Sequence, residues 1–236
     1  MNKNWIILVL SLAAGLGLHW SRNPPAPPPA PVTVYAAASL KEAVTEITAE
    51  WTKRTGRPVR LQFEATSTLA RQINEGAPAD LFLTAAPEWL DRVKTLERFD
   101  WIGNRLVAVC RKGSGIHLKE ARSLALANDQ VPAGKYAKAA LATLKLPLPE
   151  RVVYGENVRD VLSKVSHGAA EAGVVYATDV AVDPNVEVAF IFPEESHPRI
   201  LYSAGLLTPQ GKDLTDALKE PWALAAAAKR GFTVLK

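Results

Sequence analysis

The stretch VTVYAAASLKEAVTEITAEW, residues 32 to 51, decides the fold class. Val32 to Ala36 form an apolar run typical of a buried strand, and a segment with helical spacing follows after a few small residues. Ser39 and Glu42 predict a capping box at the start of that helix. Its apolar face consists of Leu40, Val44, Ile47 and Trp51. A buried strand that leads directly into an amphipathic helix is the building unit of an α/β fold.

The same unit recurs along the chain. Further apolar runs that predict strands are Val59 to Phe63, Leu81 to Thr84, Leu106 to Cys110, Val152 to Tyr154, Gly173 to Tyr176 and Val186 to Phe192. Most are separated by segments of helical period, which predicts parallel sheets with right-handed crossovers. Such folds bind ligands at the carboxyl ends of their strands, so the turns that follow the strands are the candidate functional positions.

Length and composition limit the possible classes. The 236 residues allow one large domain or two lobes of about 100 residues each. The net charge is +4, of which Lys3 and Arg22 in the N-terminal segment contribute +2, leaving +2 for the rest. No basic run with interleaved aromatic residues is present, so the sequence does not indicate nucleic-acid binding. One cysteine, Cys110, excludes an intramolecular disulfide, and the four histidines lack metal-ligand spacing.

The N-terminal segment predicts export. Residues 1–22 place Lys3 before an apolar run, Trp5 to Leu18, and residues 23–31 are rich in proline. We interpret residues 1–22 as a signal peptide or an N-terminal membrane anchor, and residues 23–31 as a linker. Either alternative places the folded body in the periplasm or elsewhere outside the cytoplasm, with the membrane contacted only through this segment.

Two further turns are rich in hydrogen-bond donors. Thr66, Ser67 and Thr68 open a helical run after the second strand, although one hydroxyl would suffice as a cap. In the sequence VPAG, Ala133 and Gly134 offer backbone N–H groups at another helix start. Each turn taken alone is equally consistent with ordinary capping.

The last two candidates follow later strands. Asn157 predicts an N-cap that leaves the N–H of Val158 in the first helical turn. Tyr176 ends a strand, so its phenol either points into a cleft or bonds to a buried carbonyl. Together these turns predict an anion site built from hydroxyls and amides without a lysine or arginine.

Six strings occur in the order typical of one known family. They are AAASL (36–40), STLARQI (67–73), GAPADLF (76–82), VPAGKYA (131–137), ENVR (156–159) and GVVYATD (173–179). In these residues the chain resembles the periplasmic molybdate-binding proteins, and the resemblance covers nearly everything from Val32 onward.

The resemblance implies a bilobal, type II periplasmic binding-protein fold, with two parallel-sheet α/β lobes, a hinge and a central ligand cleft. We expect residues 32–110 plus 198–236 to form one lobe and residues 111–197 the other. It implies high-affinity binding of molybdate, and of tungstate, by a monomer that delivers the ion to an ABC transporter permease. No cofactor, catalysis or free metal cation is implied. The ligand residues carried over are Ser39, Thr66, Ser67, Ala133, Val158 and Tyr176.

Three features depart from the family pattern. Thr66 stands where the family more often has serine, and its additional methyl group bears on the size of the cavity. The segment from Leu124 to Gln130 lacks the usual Gly-Asp-Pro turn, and the proline-rich linker is additional.

Rival functions remain open at this stage. A site made only of donors disfavours a protonated oxyanion, but sulfate is as fully deprotonated as molybdate and only cavity size excludes it. A hydrolase with Ser39 as nucleophile would need a catalytic partner, and no Gly-x-Ser-x-Gly or Ser-x-x-Lys motif is present. A tethered scaffold module would explain the N-terminal segment but not the donors that cluster after the strands.

Overall fold

A computed structural model of the chain describes residues 29–235. The predicted signal or anchor segment and most of the predicted linker lie outside these residues. Within the described range, no helix has the length and apolar character needed to cross a membrane.

Residues 29–235 contain eleven strands and seven α-helices, joined by loops and short 3-10 turns. The strands are β1 (Val32–Ala37), β2 (Val59–Glu64), β3 (Leu81–Thr84), β4 (Glu97–Asn104), β5 (Leu106–Arg111), β6 (Ser123–Ala127), β7 (Arg151–Gly155), β8 (Ala172–Tyr176), β9 (Val186–Ile191), β10 (Ile200–Leu206) and β11 (Thr233–Val234). The helices are α1 (Lys41–Thr55), α2 (Thr66–Asn74), α3 (Pro132–Thr143), α4 (Val158–Ser166), α5 (Ala177–Val180), α6 (Lys212–Ala217) and α7 (Pro221–Lys229).

The strands form two sheets, which confirms the predicted α/β class. The first has the order β11-β4-β10-β3-β1-β2, and the second has the order β7-β6-β8-β5-β9. In each sheet the strands that lead into site helices are parallel: β1 pairs with β2 and β3, and β6 pairs with β7 and β8. Their carboxyl ends therefore lie at one edge of each sheet.

The expected parallel pairing is present before the site helices, but both sheets also contain antiparallel strands and are therefore mixed. Strand β10 is antiparallel to β3 and β4, and β5 is antiparallel to β8 and β9. The strands β4, β5, β9 and β10 flank the two points where the chain changes sheet. A chain that leaves one sheet and continues directly into the other has no helical crossover there, and so it adds antiparallel strands.

The first change of sheet occurs at Arg105, between β4 and β5. The first lobe was expected to extend to residue 110. That bound lies one strand too far along the chain, because β5 pairs within the second sheet. An apolar strand such as Leu106 to Cys110 carries no local signal of which sheet it joins. The chain returns to the first sheet between β9 and β10. The division into two lobes with a hinge, with a restart of the first lobe near residue 198, remains our proposal.

Local chemistry explains how the first unit begins and ends. Strand β1 is almost wholly buried between β2 and β3, and α1 covers β1 and β2 and buries Val44, Ile47 and Trp51. Gly56 ends α1 with a φ of 71°, a left-handed conformation that glycine adopts without strain.

Candidate anion-binding site

The turns that follow the strands meet in one small cavity between the two sheets. The first sheet lines it with Ala37, Ala38, Ser39, Glu64, Ala65, Thr66 and Ala85, and the second with Val131, Pro132, Ala133, Asn157, Val158 and Tyr176. Five of the six predicted ligand residues are among these. The cavity measures about 10 Å³, whereas pockets for organic ligands are usually several hundred Å³. Its size fits a small ion held in direct contact with the protein.

Ser39 lies in a short 3-10 turn between β1 and α1 and is 3% exposed. Its Oγ is 2.8 Å from Oη of Tyr202 and makes no capping bond. The predicted capping box is therefore wrong. Glu42 instead reaches Arg159 on the second lobe, with 3.2 Å between Oε1 and Nη1. An ion pair with a largely buried guanidinium competes successfully with a bond to a single backbone N–H.

Thr66 occupies the first position of α2 and is 1% exposed. Its Oγ1 accepts a hydrogen bond from the backbone N–H of Ala85 at 3.1 Å and does not cap the helix. Because the oxygen already accepts from Ala85, the hydroxyl hydrogen remains available to the cavity.

Ala133 lies in the first turn of α3, where backbone N–H groups have no partner within the helix. The N–H of Gly134 is bonded to the carbonyl of Val131, so the sequence-based idea that Gly134 offers a free donor is wrong. Glycine is needed there for packing, since a Cβ would lie 2.3 Å from the carbonyl oxygens of Ala127 and Asn128.

Val158 begins α4, and Asn157 caps that helix as predicted. The Asn157 side chain accepts from the N–H groups of Arg159 and Asp160, at 2.9 and 3.1 Å. Of the three leading N–H groups of α4, the one of Val158 is left without a capping bond. This 4% exposed residue lines the cavity.

Tyr176 is 1% exposed, and its hydroxyl has no hydrogen-bond partner among residues 29–235. Burial raises the pKa of this phenol well above its usual range, so it is a neutral donor. A buried hydroxyl without a partner costs about 1–3 kcal/mol. Such a group on the wall of an anion-sized cavity indicates a ligand that completes its hydrogen bond.

Ser67 is the predicted residue that the fold does not bring to the cavity wall. Its half-buried side chain lines a neighbouring open groove together with Thr68 and Arg71. In an α-helix successive residues point about 100° apart, so Thr66 and Ser67 cannot both face inward.

Sequence reasoning missed Ala85, Glu64 and Tyr202. Ala85 follows the end of β3, so the rule of inspecting every strand end could have found it. Glu64 is a carboxylate in the lining, but its Oε2 lies 3.3 Å from both the N–H of Ala65 and Nδ2 of Asn157. No sequence signal marks Tyr202, which reaches Ser39 from 163 residues away.

The cavity lining contains no lysine or arginine. The guanidinium of Arg159, the residue after Val158, is held by the carboxylates of Glu42 and Asp179. Its Nε lies 2.7 Å from Oδ1 of Asp179, close enough for an ion pair although not aligned as a hydrogen bond. Burial raises the pKa of Asp179 to about 6, while Arg159 and the N–H of Tyr176 act in the opposite direction. The adjacent guanidinium favours the ionised carboxylate, so the two charges balance each other.

Polar contacts join the two sides of the cavity. Besides the Glu42 and Arg159 pair, Nδ2 of Asn157 reaches Glu64 as given above, and Oη of Tyr136 reaches the carbonyl of Ala85 at 3.5 Å. The rings of Tyr176 and Tyr202 meet edge to face, with centroids 5.9 Å apart. The two halves are thus closed upon each other in this structure.

Comparisons with known proteins agree with this architecture. The family model described as bacterial extracellular solute-binding protein matches residues 32–233. Molybdate-binding protein ModA of Escherichia coli (strain K12) is 35% identical over 228 residues, which cover 86% of this chain and 89% of the relative. ModA of Haemophilus influenzae is 32% identical over 239 residues, covering 92% and 91%. The structure of the Azotobacter vinelandii periplasmic molybdate-binding protein superposes with a TM-score of 0.77 at 20% identity, covering 87% of this chain and all of that one, a likeness of fold.

Proposed function

The chain belongs to the family of bacterial extracellular solute-binding proteins, and from this premise we propose that it binds molybdate outside the cytoplasmic membrane and delivers it to an ABC transporter permease. The relatives that cover most of the chain are named for molybdate binding. The observation that carries the proposal is the buried, unpartnered hydroxyl of Tyr176 on the wall of an ion-sized cavity.

The donors around the cavity suit a fully deprotonated tetrahedral oxyanion. Three hydroxyls, from Ser39, Thr66 and Tyr176, and two first-turn N–H groups, from Ala133 and Val158, supply at least five hydrogen bonds. Bonds from neutral donors to an anion contribute about 1.5–3 kcal/mol each. We propose that Ser67 contributes only through its N–H in the first turn of α2.

Oriented dipoles take the place of counter-charges in this proposal. Helices α2, α3 and α4 each begin at the cavity wall, and the amino end of a helix carries a partial positive charge. In a small, dry cavity these dipoles act with little screening. Tungstate has the same charge and shape as molybdate, so we propose that it binds as well.

The proposed function extends to the assembly, the export and the chemistry of the chain. We propose a monomer without a cofactor, exported by its N-terminal segment and tethered if that segment is retained. Molybdenum would be bound only as the oxyanion. Catalysis by Ser39 is disfavoured because its described partner is the phenol of Tyr202 rather than a base.

Titration of the purified domain tests the proposal. Calorimetry with molybdate, tungstate, sulfate and phosphate should give tight binding of the first two and much weaker binding of the others. Tighter binding of sulfate than of molybdate would reassign the ligand. Hydrolysis of acyl or phosphoryl esters that is lost in Ser39→Ala would instead support the enzyme alternative.

A further inference from the structure

Among the described residues that line the cavity, Glu64 is the only one with a charged side chain. It is the last residue of β2 and stands two positions before Thr66, which opens α2. Its partner in register on β1 is Ala37, which also lines the cavity. A carboxylate in this place has the same sign of charge as the proposed ligand and therefore repels it.

The hydrogen-bond partners of the Glu64 carboxylate are neutral. Its Oε2 accepts from the backbone N–H of Ala65 and from Nδ2 of Asn157, each at 3.3 Å. No lysine, arginine or histidine within the described part of the chain forms an ion pair with it, whereas Glu42 is paired with Arg159. The negative charge of Glu64 is thus not cancelled by a neighbouring cation, and it opposes the helix dipoles that attract the anion.

Glu64 lies where the cavity meets the neighbouring open groove. It lines both of them, as does Val131 from the side of the second sheet. The groove contains two further carboxylates, Asp129 and Glu156, which do not line the cavity. Because the Coulomb energy falls with distance, Glu64 has the strongest effect of the three on an ion in the cavity. Its side chain is half-buried, which limits screening by solvent.

The bond between Glu64 and Asn157 joins the two sides of the cavity. The side-chain oxygen of Asn157 caps α4, so its amide nitrogen is free to donate to Glu64. The closed arrangement therefore holds a negative charge at the cavity wall. We propose that the Glu64 carboxylate limits the affinity of the closed site for doubly charged oxyanions and shortens their residence, which favours release of the ion.

This inference rests on the proposed function and adds a dependence on the charge of the ligand. The Coulomb energy between Glu64 and a bound ion is proportional to the charge of that ion. Perrhenate is a tetrahedral oxyanion of nearly the same size as molybdate, but it carries a single negative charge. Affinity depends exponentially on energy, so removal of the Glu64 charge should change the affinity for molybdate by about the square of its effect on perrhenate.

Glu64→Gln removes the charge and keeps an acceptor oxygen for Asn157. We expect molybdate to bind about tenfold tighter and perrhenate about threefold tighter, and molybdate to dissociate more slowly. Competition calorimetry gives the two affinities, and a chase of radiolabelled molybdate with unlabelled molybdate gives the release rate. Both measurements use the purified domain.

Glu64→Ala is a second variant that removes the charge together with the acceptor. Its absolute affinities also reflect the lost bond to Asn157. The affinity for molybdate relative to perrhenate should nevertheless rise about threefold, as in Glu64→Gln, because the ratio follows the charge and not the hydrogen bond.

Glu156→Gln is the matched control. It removes the same charge from an exposed residue that lines the groove but not the cavity. Distance and solvent screen this charge, so the affinities for both ions should stay within about twofold of those of the unaltered protein.

The outcomes separate the role of Glu64 from the function beneath it. If the unaltered protein binds molybdate but both Glu64 variants leave the affinity for molybdate relative to perrhenate unchanged, the inference is overturned and the proposed function stands. Weaker binding of both ions by Glu64→Gln, or an equal shift in Glu156→Gln, also overturns it. If the unaltered protein binds no molybdate, the proposed function falls and the inference falls with it.

Discussion

At the residue scale, the two hydroxyls contributed by the first sheet have the same hydrogen-bonding arrangement. Thr66 accepts a hydrogen bond from the N–H of Ala85. Ser39 accepts one from Oη of Tyr202, which itself accepts from Nδ2 of Asn104. Neither hydroxyl caps the helix that it precedes or begins. A cap would affect stability alone. In each hydroxyl the hydrogen is not used by that bond and can be donated to an anion.

Ser39→Ala and Thr66→Ala should each raise the dissociation constant of molybdate about ten- to hundredfold, because a charge-assisted bond is lost. Both should also lower apo stability by about 1–3 kcal/mol, since each strands a buried donor. Thr48→Ala is the control: its buried hydroxyl bonds to the carbonyl of Val44 inside α1, so stability should change and affinity should not. Affinity within twofold of the unaltered protein in both site variants would contradict the assignment.

Tyr176→Phe should weaken molybdate binding without lowering the stability of the apo protein. The hydroxyl has no partner in the described structure, so its removal should leave the apo melting temperature unchanged or raise it. Molybdate affinity should nevertheless fall about ten- to hundredfold. Thermal unfolding and calorimetry measure the two effects, and a destabilised variant with normal affinity would mean that the phenol bonds to protein instead of ligand.

At the element scale, the site depends on where helices begin. Helix α4 starts with an asparagine cap that fills two N–H groups and leaves that of Val158 free. Helix α3 starts against the end of β6, close enough that only glycine fits at position 134. Substitutions other than proline leave a backbone donor in place, so the positions of these donors can be tested through the packing that sets them.

Gly134→Ala should shift the first turn of α3 away from β6, because the new Cβ would clash with two carbonyl oxygens. We expect a loss of stability of about 1–3 kcal/mol, typical of overpacking, and at least tenfold weaker molybdate binding. Ala142→Ser adds one atom at an exposed position of the same helix and should change neither. Thermal unfolding and titration measure both effects, and normal affinity in Gly134→Ala would show that this packing does not place the Ala133 N–H.

At the scale of the whole molecule, lobe closure completes the site, since each sheet supplies only part of the donors. Glu42 follows Ser39 on one side, and Arg159 follows Val158 on the other, so their ion pair closes when the ligand residues meet. Both side chains are less than a third exposed, which limits screening by solvent. The pair should therefore favour the closed state.

Glu42→Gln should open the apo protein and speed the release of molybdate, with affinity lower by about three- to tenfold. Small-angle scattering should show a larger apo radius than in the unaltered chain, and compaction on adding molybdate in both. Glu50→Gln is the control, because Glu50 pairs with Arg54 within α1 and crosses no cleft. Equal radii and equal release rates in the two variants would show that the ion pair of Glu42 and Arg159 does not hold the lobes closed.

The N-terminal segment yields a prediction about tethering. If residues 1–22 are retained as an anchor, the proline-rich composition from Pro24 to Pro31, which lies mostly outside the described residues, predicts a spacer of about 3.1 Å per residue that holds the folded body roughly 25 Å from the bilayer. Intact-mass analysis of membrane and soluble fractions decides between the alternatives. A membrane-bound chain that starts at Met1 supports the anchor, whereas a soluble chain that starts between Ser21 and Val32 indicates cleavage.

The sequence by itself determined the α/β class and the positions of most strand-to-helix turns. Alternation of apolar and helical segments is a property of neighbours along the chain, and capping by Asn157 is likewise local. Strands β4, β6, β10 and β11 were not predicted. Strand β4 is interrupted by charged residues, and β11 is only two residues long.

Only the tertiary structure decided which groups face one another. It turned Glu42 from a predicted cap into the partner of Arg159, placed Ser67 outside the cavity, and assigned β5 to the second sheet. It also brought Tyr202 to Ser39. The physical reason is that a side chain's partner is set by the packing of both sheets, whereas periodicity and capping are set within a few residues.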